Sequence, residues 1–135
     1  MVITKTPFRL SFFGGGTDFK EWYEQNDGLV VGTTFSAYCY LSVRRLPPFF
    51  DHKTRLVYSE VEEVNQLDEI KHAGARSCMK FLNIGDGLEI HHDGDLPARS
   101  GIGSSSSFTV GFLKALYAHK GKMIGNSELA RQAIY

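Results

Sequence analysis

Residues 105–119 constrain the fold more than any other segment. Phe108, Val110, Phe112, Leu113, Ala115, Leu116 and Tyr117 put apolar groups on most sides of one helix. A helix that is hydrophobic nearly all round is stable only when buried, so the rest of the chain must wrap it. The chain has 135 residues, of which 42% are hydrophobic and 22% charged. That is the size and composition of one globular domain, taken here as residues 1–135, and not of a disordered or fibrous chain.

The covering elements can be read from periodicity and punctuation. Residues 3–13 are rich in β-branched and aromatic side chains and read as a strand, with Pro7 marking a strand start or a sheet edge. Gly14, Gly15 and Gly16 stop it. Phe19, Trp22 and Tyr23 fall at helical spacing, which predicts a short helix over 18–25 capped by Thr17 or Asp18. Residues 29–35 and 37–45 read as two strands of a hairpin around Ser36, and 46–52 as a loop exposing Phe49 and Phe50. A short strand follows at 55–59. The spacing of Leu67, Ile70, Gly74, Cys78, Phe81 and Leu82 predicts one amphipathic helix over 66–82. Gly85, Asp86 and Gly87 form a turn, 88–92 a strand, and 93–103 a glycine-containing loop into the buried helix. A last helix runs over 126–135, with Ser127 as its cap and Glu128 in the favourable first turn. Its stripe of Leu129, Ala130, Ala133 and Ile134 ends without Gly, Asn or Pro. That open stripe implies a packing partner that is missing, or a second copy in a homodimer. Strands and helices mix without strict alternation, which predicts an α+β fold.

Charge and cysteine content narrow the function. Fifteen basic and fifteen acidic residues give a formal net charge of zero, so a dedicated nucleic-acid binder is not expected. Cys39 and Cys78 are far apart and lack metal-ligand spacing, so they read as reduced, buried thiols. Lys5, Pro7 and Arg9 interrupt what a signal peptide would keep apolar, and no apolar run reaches the roughly 18 residues of a membrane span. A cytoplasmic protein without a membrane partner is expected. His91 and His92 are adjacent in a strand and point to opposite faces, which argues against a shared metal ion.

Two segments carry chemistry. Gly101, Ile102, Gly103, Ser104, Ser105, Ser106 and Ser107 lie where a loop enters the buried helix. Glycines admit a ligand close to the backbone, and the free N–H groups and dipole of a helix start favour an anion. The segment lacks the Lys of a Walker A loop, and Ser106 stands where a dinucleotide fingerprint needs its third Gly. The other reading is a serine-rich cap behind a flexible turn. The second segment joins Pro7, Phe8 and Arg9 to Gly14, Gly15, Gly16, Thr17 and Asp18. Arg9 offers a planar donor fork for phosphate. Asp18 could accept from sugar hydroxyls, or simply cap a helix.

Together these segments resemble the GHMP kinase superfamily. The run from Pro97 through Ala98, Arg99, Ser100 and Gly101 to Ser107 is similar to its phosphate motif Pro-x-x-x-Gly-Leu-Gly-Ser-Ser, with Ile102 for Leu. Pro7, Phe8 and Arg9 with Thr17 and Asp18 resemble its N-terminal substrate motif. Galactokinases carry Glu-His-Thr-Asp there, whereas Gly15 and Gly16 stand here, so galactose is not the expected sugar. Residues 6–17, 46–53 and 88–109 resemble the D-glycero-D-manno-heptose 7-phosphate kinase branch. The resemblance implies an antiparallel sheet packed against helices, the C-terminal part of the family fold being missing. It implies ATP and Mg²⁺, with Gly101, Ile102, Gly103, Ser104, Ser105 and Ser106 on the phosphates and Ser105 on the metal. It places Arg9 at the reacting oxygen and Gly15, Gly16, Thr17 and Asp18 on the sugar. The implied reaction moves the γ-phosphoryl of ATP to the anomeric hydroxyl of a heptose 7-phosphate or related sugar. The family's catalytic Asp is expected beyond Tyr135, with Asp93 and Asp95 the local alternatives, so this chain alone is not expected to turn over. The alternatives are a non-catalytic nucleotide- or sugar-phosphate-binding module, and an RNA-binding module, which the charge balance disfavours.

Overall fold

The computed structural model describes residues 1–85, 87–97 and 101–134. Asp86 of the predicted turn, Ala98, Arg99 and Ser100 of the phosphate motif, and Tyr135 of the last helix lie outside the described residues. Five strands, β1 (Val2–Phe13), β2 (Val31–Arg45), β3 (Thr54–Val57), β4 (Val61–Val64) and β5 (Leu88–Gly94), form one sheet in the order β1-β2-β5-β3-β4. The helices are α1 (Lys20–Tyr23), α2 (Ala73–Phe81), α3 (Ser104–His119) and α4 (Asn126–Ile134). The α+β class is as expected, but the sheet is mixed: β3 and β5 pair in parallel, the other neighbours antiparallel. The β3–β4 hairpin followed by α2 supplies the crossover that a parallel pair needs.

Pro7 sits in the edge strand β1 at a register irregularity, where a missing N–H costs no ladder bond. The same irregularity corrects the expected hairpin around Ser36. β2 is a single strand, and while β1 advances from Pro7 to Arg9 its partner advances from Tyr38 to Thr34, so residues 35–37 bulge. Alternation along β2 buries Ala37, Cys39, Leu41 and Val43 beneath the helices.

Helix α3 lies across β1 and β2 and buries Phe108, Phe112, Leu113, Ala115 and Leu116, as its all-round apolarity demanded. Its close approach depends on Gly111. The Thr4 hydroxyl donates to the Gly111 carbonyl at 3.0 Å, and a Cβ at residue 111 would stand 2.6 Å from Thr6 Oγ1. Alanine is ordinarily better than glycine in a helix by about 1 kcal/mol. Overpacking here should reverse that sign, and Gly111→Ala is expected to destabilise by about 1–2 kcal/mol. Urea unfolding checks it; a more stable variant would show that α3 is not seated this closely.

Three helical expectations need correction. The segment over 18–25 is a short 3-10 helix (Gly15–Asp18) followed by α1, whose N-cap is Phe19 with no side-chain cap; Thr17 donates instead to the Gly14 carbonyl at 2.8 Å. The helix over 66–82 is broken into a 3-10 turn (Leu67–Glu69) and α2. Glu62, on the unpredicted strand β4, takes the N–H groups of Lys71 and His72, and His72 Nδ1 accepts from Ala75 N as the cap of α2. Those N–H groups would otherwise have extended the helix backwards. Finally, α4 starts at Asn126 as expected, but Leu129 N donates to the Gly125 carbonyl, so Ser127 lies inside the helix and is not its cap. Within α4 Leu129 is buried against α3, while Ile134 is exposed.

Both cysteines are free and buried, and burial pushes each thiol up to about 11. Among the described residues no helix is long and apolar enough to cross a membrane.

Candidate nucleotide and sugar-phosphate site

The two motifs, some ninety residues apart in sequence, meet at the start of α3. Arg9 N donates to the Ile102 carbonyl at 3.1 Å, and the Ser107 hydroxyl donates to the Pro7 carbonyl at 3.0 Å. Strand β1 is thereby laced to the loop that opens α3. The N-cap of α3 is Gly103, at φ 72°, with no side-chain cap bond. Among the described residues no side chain caps the first-turn N–H groups, the arrangement in which an anion takes the place of the cap. Ser107 is the buried serine of the four; Ser105 and Ser106 are exposed and Ser104 is half-buried.

Glycine at 103 meets two demands. Its positive φ is costly for other residues. A Cβ there would also lie 2.7 Å from Arg9 Cγ, so the arginine stem runs directly over the loop. From there Arg9 Nη1 stands 4.0 Å from Asp18 Oδ2, both side chains being roughly half exposed. Arg9, Asp18, Ile102 and Gly103 are therefore brought together. Gly15 and Gly16 lie in the 3-10 turn beside Asp18, and a Cβ at Gly16 would meet nothing within 4 Å. The Thr17 hydroxyl proton is committed to Gly14, which makes Thr17 a former of the turn.

Asp95 is tied to β2 through one carboxylate oxygen. Its carboxylate accepts from Tyr38 N at 2.8 Å and lies 3.5 Å from the Tyr40 hydroxyl. Asp93 lines a second feature that the sequence did not disclose, a cleft of about 640 Å³ running from Ser104 between Phe8, Tyr58, His72 and His92. The Tyr58 and His72 rings meet edge-on at 5.0 Å, and His72 and His92 both pack on Phe108, at 4.5 and 5.0 Å. His91, on the other face of β5, bonds Glu89 instead, as strand alternation requires.

Burial holds both cleft histidines below the usual imidazole range; Glu62 beside His72 and Asp93 beside His92 only partly offset it. The native imidazoles are thus neutral where the unfolded ones take up protons. Unfolded chains then bind more protons below the ordinary value of 6.5, so stability falls as pH drops from that value through the native pKa. The urea midpoint is expected to be lower at pH about 5.5 than at about 7.5, with a smaller difference in His92→Asn. Equal midpoints in the parent protein would contradict buried, neutral imidazoles.

The model of the GHMP kinases N terminal domain matches residues 69–135. A D-glycero-alpha-D-manno-heptose 7-phosphate kinase of Campylobacter jejuni is 30% identical over 141 aligned residues, covering 98% of this chain and 42% of that protein. A crystal structure of a D-glycero-D-manno-heptose 1-phosphate kinase from Bacteroides thetaiotaomicron superposes with a TM-score of 0.80 at 22% identity, covering 98% of this chain and 46% of that one. A Streptococcus pneumoniae phosphomevalonate kinase in complex with phosphomevalonate and AMPPNP superposes with a TM-score of 0.73 at 16% identity, over 98% of this chain and 41% of that one. The chain has the fold of the N-terminal part of these kinases, and its residues 69–135 carry the sequence pattern of the GHMP kinases N terminal domain. In sequence it is similar to the Campylobacter jejuni heptose 7-phosphate kinase, and it spans less than half the length of the relatives it matches.

Proposed function

We propose that this chain forms the ATP- and sugar-phosphate-binding part of a kinase that phosphorylates a heptose 7-phosphate or a related sugar at its anomeric hydroxyl. The single observation that carries the reading is the junction of Arg9 with Ile102 and Gly103, which puts a fixed positive charge beside a helix start whose N-cap residue, Gly103, offers no side-chain cap. The nucleotide-bound phosphomevalonate kinase of like fold supports a nucleotide here, and the heptose 7-phosphate kinase relative supports the sugar.

The backbone N–H groups of Gly101, Ile102, Gly103, Ser104, Ser105 and Ser106 cradle the ATP phosphates. The base extends into the cleft beyond Ser104, against rings that are flat, half-buried and uncharged. The exposed Ser105 hydroxyl, in the first turn of α3, is a suitable hard oxygen ligand for Mg²⁺. When bound, Mg²⁺ would neutralise charge on the phosphoryl group in transfer. Arg9 stands at the same charge from the sugar side, and Asp18, Thr17, Gly15 and Gly16 shape the sugar subsite. Phosphoryl transfer relies chiefly on such positioning and charge neutralisation. Asp95 is not assigned as the base, because its carboxylate already serves Tyr38. With ATP as donor and reduced cysteines, the reading places the kinase in the cytoplasm.

Ser105→Ala tests the metal assignment. Ser105 makes no side-chain cap, so its loss should change stability by no more than about 0.5 kcal/mol. ATP binding should instead need several-fold more Mg²⁺, read by titrating the metal at fixed ATP. An unaltered Mg²⁺ dependence would return Ser105 to a surface helix residue.

A further inference from the structure

Glu62 is 6% exposed, and no ion pair holds it among the described residues. Burying a carboxylate is costly unless donors replace its water. Three do: Lys71 N at 2.6 Å, Tyr58 Oη at 2.9 Å and His72 N at 3.1 Å. Burial alone would raise its pKa, but these donors outweigh it and hold the carboxyl below the ordinary range.

The placement of the donors gives the carboxylate a purpose. Tyr58 and His72 form adjoining walls of the cleft beyond Ser104, and Glu62 grips both. It fixes the Tyr58 ring through its hydroxyl and His72 through its backbone. The His72 ring is then held by Ala75 N at 3.1 Å and by Phe108. Tyr58 comes from the β3–β4 turn and His72 from the start of α2, so one carboxylate sets the spacing of two separate elements. A planar ligand packed into the corner that these two rings form depends on how they are set against each other. A triphosphate at the helix start does not.

We infer that Glu62 is a positioning residue for the nucleobase, holding Tyr58 and His72 as walls of the base-binding cleft. The inference rests on the proposed nucleotide reading of this site. It separates the two halves of the nucleotide: base affinity should depend on Glu62, and phosphate affinity should not.

The test compares ATP–Mg²⁺ with tripolyphosphate–Mg²⁺ on the full 135-residue chain by calorimetric titration. Glu62→Gln keeps the shape but turns an amide NH₂ toward groups that themselves donate. ATP binding is expected to weaken about tenfold, with tripolyphosphate binding unchanged within about twofold. Tyr58→Phe keeps the ring and removes only the hydroxyl; a weakening of about threefold, again confined to ATP, is expected. Parallel loss of both ligands in folded Glu62→Gln would overturn the inference, and so would no loss of either. Should Glu62→Gln fail to fold, Tyr58→Phe decides: unchanged ATP affinity overturns the inference. A parent chain that binds ATP no more tightly than tripolyphosphate would instead overturn the nucleotide reading of the cleft.

Discussion

Gly103→Ala is expected to weaken ATP–Mg²⁺ binding by tenfold or more. Two costs combine. At φ 72° an L-residue pays about 1–2 kcal/mol, and 1.4 kcal/mol is already a factor of ten if the loop relaxes out of its binding conformation to escape the strain. The new methyl must also displace the Arg9 side chain, whose Cγ and Nε would lie 2.7 and 2.8 Å from it. Both the phosphate loop and its neighbouring cation are therefore disturbed by one carbon. Gly121 provides the control. It follows α3 at φ 69°, and a methyl there would meet nothing within 4 Å, so Gly121→Ala carries the strain without the site. Its stability should fall while its ATP affinity stays at the parent value. Equal affinities for ATP in Gly103→Ala and the parent would remove the loop from the binding site.

Phe112→Ala is expected to cost about 3–5 kcal/mol, a large part of the roughly 5–15 kcal/mol that holds a domain folded. Phe112 is fully buried in the middle of α3 and packs on Phe108 with ring centroids 5.4 Å apart. Phe108 in turn supports the His72 and His92 rings. A cavity at 112 should thus loosen the cleft walls as well as the core, because interiors are too tightly packed to absorb a missing ring. The urea midpoint at constant m-value measures the loss. A change below about 1 kcal/mol would mean that α3 is not the centre of the core.

What could be read in the sequence follows the range of the interactions that determine it. Helix α3 and its glycine–serine entry were legible because apolarity and glycine act on their own residues. Strand β1 was legible from its side chains, and Pro7 allowed either a strand start or the edge position the strand takes. The break at 70–72 was not, because the apolar spacing continues through it. Its cause is Glu62, which caps the helix start from another strand, and a ten-residue return of the chain leaves no local signature. Strand β4 was hidden for the same reason: Glu62 faces inward where alternation calls for an apolar residue. Ser36 looked like a turn because a bulge and a turn interrupt a pattern alike. In the site, Arg9, Asp18 and residues 101–106 could be named singly, and their meeting is what the fold adds. Tyr58, His72 and His92 had no partners at recognisable spacing. Crossover through α2 and the parallel pairing of β3 with β5 bring them to one cleft.

Titration of the 135-residue chain with ATP–Mg²⁺, followed by backbone amide shifts, tests the central claim most directly. Saturable shifts are expected at Gly101, Gly103, Ser104, Ser105 and Ser106, at the Arg9 amide bonded to Ile102, and around Tyr58 and His72. Saturation with these amides unmoved in a folded chain would contradict that claim.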